Sequence, residues 1–232
     1  MNILNLNKNS GNLNRVRAIV SVIFEEGGSI LIDKIKLKYL VPWKCRIHCF
    51  FHHPKPTQCL VQMKGNTEAL SPDALRRVLE KLGPTFIKLG QVLSLRADVV
   101  GEEISQELSK LQSDVPPFPY VQARQIIIDE LKATPETLFK SFDKKPVAAA
   151  SLAQVHRARL NDGTEVAVKI QRPNIRALIE QDIHILFSLG ALAQQRLPQI
   201  RPYQPLRVIK EFADWTLREL DFTIEGNNAE RF

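Results

Sequence analysis

Apolar side chains recur at helical spacing over residues 14–40, with Val16, Ile19, Val20 and Ile23 on one face until Gly27-Gly28 interrupts them. The stripe predicts an amphipathic helix pair laid on a domain or on a lipid surface. No clear period follows over 41–70. Ser71-Pro72-Asp73 is a start signal, with serine at the N-cap and proline at the first helical position. The helix it opens, ALRRVLEKL, stops at Gly83-Pro84. Pro84 opens the next, PTFIKLGQVLSLRADVV, read as one helix in which Lys88 and Gln91 share a face. EEISQELSKLQ forms a third. The prolines of SDVPPFPY then forbid regular structure. Residues 121–132 are helical again, and TPETLF reads as a short capped turn.

After Lys145 the period changes from helix to strand. PVAAASLAQVHRARL and TEVAVKIQ flank Asn161-Asp162-Gly163, a hairpin turn signal. The second strand alternates, with Val166, Val168 and Ile170 on one face and Ala167 and Lys169 on the other. Helical stretches are expected over 174–195 and 205–230, separated by RLPQIRPYQP. Helices, a hairpin and more helices make an α+β fold whose sheet is only begun.

Charge modifies this picture at one end. Of the net +7 carried by 232 residues, residues 1–60 hold +6, from nine Lys or Arg against three Asp or Glu. An anionic lipid surface would attract such a segment. A nucleic-acid role is not expected, because no aromatic stacking platform or recognition motif accompanies the charge. No apolar run approaches the roughly 18–20 residues that span a bilayer, and MNILNLNKNSGNLN lacks an apolar signal core. A secreted or membrane-spanning product is therefore not expected.

Three cysteines, Cys45, Cys49 and Cys59, argue against a disulfide framework. Cys45, His48, Cys49 and His52 would share a helix face, and thiolate with imidazole suits zinc or copper. Trp43, Ile47, Phe50 and Phe51 point instead to packing or membrane contact, with Pro42 and Pro54 bracketing the run tightly. No metal site is assigned.

The common phosphate loops G-x-x-x-x-G-K-[ST] and G-x-G-x-x-G are absent, as are H-E-x-x-H and G-x-S-x-G. What remains is a strand-borne lysine in VAVKI. Kinases carry such a lysine on their third strand, where the ammonium grips phosphate oxygens and a helix carboxylate holds the ammonium. Where a kinase has a glycine-rich loop, this chain has Ala148-Ala149-Ala150-Ser151.

The run PVAAASLAQVHRARLNDGTEVAVKIQRP closely resembles the UbiB-type, aarF-domain atypical kinases, whose alanine-rich loop replaces the glycine-rich one. Two further segments match in the same order: Lys88-Leu89-Gly90-Gln91 is similar to the family's K-x-G-Q, and Glu219-Leu220-Asp221 to its E-x-D. The resemblance covers about residues 70–232, and 14–40 more loosely. It implies a basic N-terminal helical region over 1–70, a helical extension carrying KLGQ over 71–140, and a partial kinase-like N-lobe over 141–232, with the large C-lobe absent. It implies ATP as ligand, with Ala148, Ala149, Ala150 and Ser151 in the nucleotide loop, Lys169 on the phosphates and Glu225 as its partner. Lys88 and Gln91 would lie across the cleft, where Glu219 and Asp221 hold Lys88. That arrangement favours a small or lipid-related substrate, or ATP hydrolysis, over protein phosphorylation.

Physics raises one objection: on an ideal helix Glu219 and Asp221 point roughly 200° apart and could not both reach one lysine. Alanine in the loop also keeps the backbone farther from phosphate, while Ser151 and Gln154 offer side-chain hydrogen bonds. No H-R-D-like or D-F-G-like segment is present, so no catalytic residue is assigned. Mg2+ would enter only with a C-lobe, and phosphotransfer by this chain alone is not expected. The chain is expected to be the N-terminal portion of an ATP-binding enzyme of isoprenoid quinone (ubiquinone) biosynthesis, cytoplasmic and peripheral to the inner face of a membrane, with quinone-pathway proteins or lipids as partners. The alternative is a non-catalytic membrane- or partner-binding module.

Overall fold

The computed structural model describes residues 10–41, 70–111 and 116–231; the Cys45, His48, Cys49 and His52 run lies outside the described residues. Helices with one small antiparallel sheet make the fold α+β. Two compact units divide the chain, one from 1–111 with 180–214 and the other from 112–179 with 215–232. Apolar clusters include residues from both sides of 70 and of 140, the boundaries that the resemblance implied.

In the helical unit, α1 (Ser10–Glu25) buries Val16, Ile19 and Val20, each only 1% exposed, in a core shared with Leu79, Leu82, Phe86 and Ile185. The apolar stripe is thus filled from inside the protein, and a lipid-inserting role for it is corrected. Gly27 turns the chain at φ +94, and a Cβ on Gly28 would lie 2.4 Å from Ile23 Cγ2. This double glycine lets α2 (Ser29–Lys34) fold back sharply.

Helix α3 (Pro72–Leu82) starts at Ser71 as expected, but no side-chain cap reaches its backbone. A hydrogen bond with Ser71, followed by one from Arg77, holds the Asp73 carboxyl down at about 2. Helix α4 (Pro84–Ser94) ends six residues short of the expected Val100, and α5 (Ala97–Val100) is a separate turn. The reason is tertiary. Ser105 Oγ, on α6 (Glu102–Leu108), donates to the Ser94 carbonyl at 2.6 Å, while Arg96 turns away to form a bidentate pair with Asp98 at 2.9 Å.

Gly90 of the KLGQ segment has a packing reason to be glycine. A Cβ there would sit 2.3 Å from Leu111 Cδ1 and 2.8 Å from Leu79 Cδ1, both in the core. Gly90→Ala is expected to destabilise: overpacking costs about 1–3 kcal/mol, against a helix-propensity gain of at most about 1 kcal/mol. Urea denaturation measures it, and a more stable variant would contradict the close packing.

Charge also ties this unit together. The half-buried Glu26 is held below the ordinary carboxylate range by hydrogen bonds from Lys81 and then Arg77, against the opposing effect of burial. A carboxyl depressed in the folded state contributes stability above its unfolded pKa and loses it as pH falls through the folded value. The melting temperature should therefore drop more steeply on acidification below about pH 4.5 in the wild type than in Glu26→Gln. Parallel curves would show that the cluster contributes nothing.

In the other unit, β3 (Ala153–Arg159) and β4 (Glu165–Gln171) form the expected hairpin, in register from Ala153 opposite Gln171 to Arg159 opposite Glu165. Asp162 accepts from the Thr164 N–H at 2.9 Å to set the turn. The other edge of β3 pairs with two short strands absent from the sequence reading, β1 (Ser141–Phe142) and β2 (Ala148–Ala149). Helix α7 (Tyr120–Leu131) covers the Val168 and Ile170 face with Ala123 and Ile127. Helices α8 (Pro135–Leu138) and α9 (Ile175–Arg196) follow the expected order.

The last expected helix is two, α10 (Pro205–Glu219) and α11 (Phe222–Ala229). Asp221 caps α11 from an extended conformation, accepting from the Thr223 N–H at 3.0 Å. This corrects the geometric objection above, since Glu219 closes one helix and Asp221 precedes another.

Candidate functional site

Strand alternation places Lys169 and Gln171 on the face of β4 opposite the Val168 and Ile170 core, and Gln171 reaches the segment that leads into α11 while Lys169 reaches α11 itself. Gln171 Nε2 donates to the Leu220 carbonyl at 2.9 Å, which takes up the group that a continuous helix would have used. Lys169 Nζ donates to both Glu225 oxygens, at 2.9 Å and 2.7 Å. Its ammonium also lies 4.6 Å from the Phe222 ring centroid.

Lys169 and Glu225 keep 40% and 58% of their side chains exposed. An exposed pair of this kind contributes about 0–1 kcal/mol to folding, so its consequence is chiefly positional. A cation is held by a two-oxygen brace and an aromatic face while remaining accessible to an anion from solvent. Phe222 was missed by sequence reasoning. Its signal was the position after an N-capping aspartate, one turn before Glu225.

Beside the lysine strand, Ala148 and Ala149 pair in β2 with Val155 and Gln154, and the Ala150 N–H bonds back to the Ala153 carbonyl at 2.8 Å. The alanine loop is therefore a closed hairpin. Ala148 and Ala150 are exposed and Ala149 is half-buried, whereas Ser151 is 4% exposed. Gln154 is directed into the interior. It is 0% exposed, accepts from the Phe118 N–H at 3.0 Å and donates to His156 Nε2 at 2.9 Å. His156 Nδ1 in turn donates to the Asp143 carbonyl at 2.7 Å, which sets its tautomer. The Gln154 amide serves the interior, contrary to the hydrogen-bonding role expected for it.

Lys88 and Gln91 lie half-buried on α4 in the helical unit, where Gln91 Nε2 donates to the Leu111 carbonyl at 3.2 Å. Glu219 and Asp221 belong to the sheet-bearing unit. For phosphate the site fits, through the Lys169 ammonium. Among the described residues no three His, Cys, Asp or Glu side chains cluster.

A strand lysine braced by a helix carboxylate beside a closed hairpin defines a kinase-like N-lobe. The ABC1 atypical kinase-like domain matches residues 110–232, and the chain belongs to that family. The Aeromonas hydrophila relative described as "Probable protein kinase UbiB" is 37% identical over 217 residues, covering 93% of this chain and 38% of its own length. A Vibrio cholerae relative of the same description is 42% identical over 158 residues, covering 68% of this chain and 29% of its own. The Mycobacterium tuberculosis protein Rv3197, solved in complex with erythromycin, is 32% identical with a TM-score of 0.33, covering 63% of this chain and 37% of that one. This chain thus spans less than two fifths of the length of these relatives.

Proposed function

We propose that this chain is the nucleotide-gripping part of a UbiB-type atypical kinase or ATPase that binds ATP and serves isoprenoid quinone (ubiquinone) biosynthesis. The observation that carries the reading is the Lys169–Glu225 brace. Lys169 donates to phosphate oxygens of ATP, Glu225 keeps the ammonium on station, and the Phe222 ring supports it from a second side. The alanine hairpin of Ala148, Ala149, Ala150 and Ser151 borders the phosphates at a distance that its Cβ atoms set. Mg2+, when bound, neutralises phosphate charge and takes its ligands from a C-lobe. Lys88, Gln91, Glu219 and Asp221 restrict the substrate to a small or lipid-related molecule, or to water. Quinone-pathway proteins or lipids are the partners.

ATP titrated calorimetrically into the wild type, Lys169→Ala and the exposed-surface control Lys110→Ala tests the site. Equal affinity in wild type and Lys169→Ala sinks it.

Peripheral attachment to the inner face of a membrane rests on the +6 balance of residues 1–60, since the α1 stripe is buried. No helix among the described residues is long and apolar enough to cross a bilayer. Flotation with anionic liposomes should succeed at low salt and fade near 1 M, where the Debye length contracts to about 3 Å. A chain lacking residues 1–60 that floats equally well would remove the segment as anchor, and with it the reading of this chain as a membrane-docking module.

A further inference from the structure

Arg172 follows Lys169 by three residues and β4 by one, and its side chain bonds to the alanine hairpin and to the proline segment beside it. Nε donates to the Ala150 carbonyl at 2.9 Å, and Nη2 donates to the Pro116 carbonyl at 2.9 Å. The guanidinium also lies 5.7 Å from the Phe118 ring centroid. The backbone adds a further bond, from the Arg172 N–H to the Leu152 carbonyl at 2.9 Å.

Phe118 is itself fixed. Its N–H donates to Gln154 Oε1 at 3.0 Å and its carbonyl accepts from Gln154 Nε2 at 3.4 Å. Arg172 therefore ties the tip of the hairpin to a segment that the buried Gln154 has already anchored to β3. A planar trans peptide carries its C=O and the following N–H in opposite directions. Turning the Ala150 carbonyl toward the guanidinium thus aims the Ser151 N–H away from it, and holding the Leu152 carbonyl does the same for the Ala153 N–H.

We infer that Arg172 is the positioning residue of the alanine hairpin, holding it in the one conformation that presents its backbone to the phosphates of a nucleoside triphosphate. The inference rests on the ATP reading above and deepens it. Where glycine loops adapt by backbone freedom, this loop is narrowed by its Cβ atoms and then selected by a two-carbonyl fork. Lysine has the charge but lacks the planar fork and the ring-stacking face.

ATP and adenosine are titrated into the wild type, Arg172→Ala and Arg172→Lys by calorimetry, and amide exchange is followed at Ala150, Ala153 and Phe118. Both variants should bind ATP about tenfold more weakly, leave adenosine affinity unchanged, and exchange faster at those amides but not in the helical unit. Three results would overturn the proposal. Equal losses for ATP and adenosine would mean general destabilisation. Full rescue by Arg172→Lys would mean a cation acting directly on phosphate. Unchanged exchange in Arg172→Ala would mean that the fork does not hold the hairpin. If the wild type binds no ATP, the nucleotide reading fails and takes the phosphate role of Arg172 with it, while the exchange measurement still decides whether Arg172 is a latch.

Discussion

Asp182→Ala is expected to cost about 3–5 kcal/mol, a large share of the roughly 5–15 kcal/mol that separates folded from unfolded domains. Asp182 is 0% exposed and receives two bonds from Arg15, Nε to Oδ1 at 2.8 Å and Nη2 to Oδ2 at 3.0 Å. The same guanidinium donates to the Leu82 carbonyl at 2.7 Å and lies 5.6 Å from the Phe86 ring centroid. One side chain thus pins α1 to α9 and to the end of α3. Removing the carboxylate leaves a part-buried guanidinium without its counter-charge, and the cost comes from that uncompensated charge more than from the lost attraction. The double replacement Arg15→Met with Asp182→Leu should therefore recover much of the loss. Urea unfolding of the three variants checks both statements. A wild-type midpoint in Asp182→Ala would show that the pair is dispensable.

The second large effect separates binding from folding. Lys169→Ala should weaken ATP binding about ten- to a hundredfold, the equivalent of the 1.5–3 kcal/mol of charge-assisted hydrogen bonds to phosphate. Its unfolding free energy should move by less than about 1 kcal/mol, because both partners of the ion pair are exposed. Lys110→Ala should change neither quantity appreciably. Its ion pair with Glu107 at 2.5 Å is a surface contact made just beyond the end of α6, with 64% of the lysine exposed. Calorimetry and thermal melting on the same samples read the two quantities apart. A Lys169→Ala chain that loses affinity only because it unfolds would count against a nucleotide grip.

Features carried by nearest neighbours were legible along the chain. Period-2 alternation over TEVAVKIQ after Asn161-Asp162-Gly163 determined a hairpin with Lys169 off the core face, and Ser71-Pro72 and Gly83-Pro84 marked real helix boundaries. Family resemblance alone suggested that Lys169 and Glu225, 56 positions apart, belong together. No local pattern could carry that, because separation along the chain sets no distance in space. Two-residue strands such as β1 and β2 have no period to read, and only pairing with β3 defines them.

Both missed helix breaks have one physical cause. The apolar pattern continues through Ser94 and through Leu220, yet in each case a side chain from another segment takes the carbonyl, Ser105 for Ser94 and Gln171 for Leu220. Backbone bonding within the helix lost there to a tertiary partner that the local sequence does not name. The α1 stripe shows the same limit from the other side. Its spacing determined that Val16, Ile19 and Val20 face an apolar phase, and only the fold decided that this phase is the protein's own core. Sequence by itself determined which residues seek burial, turn or charge, since those preferences are properties of each side chain and its nearest neighbours. Tertiary structure decided which distant group satisfies each of them, because a hydrogen bond or a buried contact is formed in space and not along the chain.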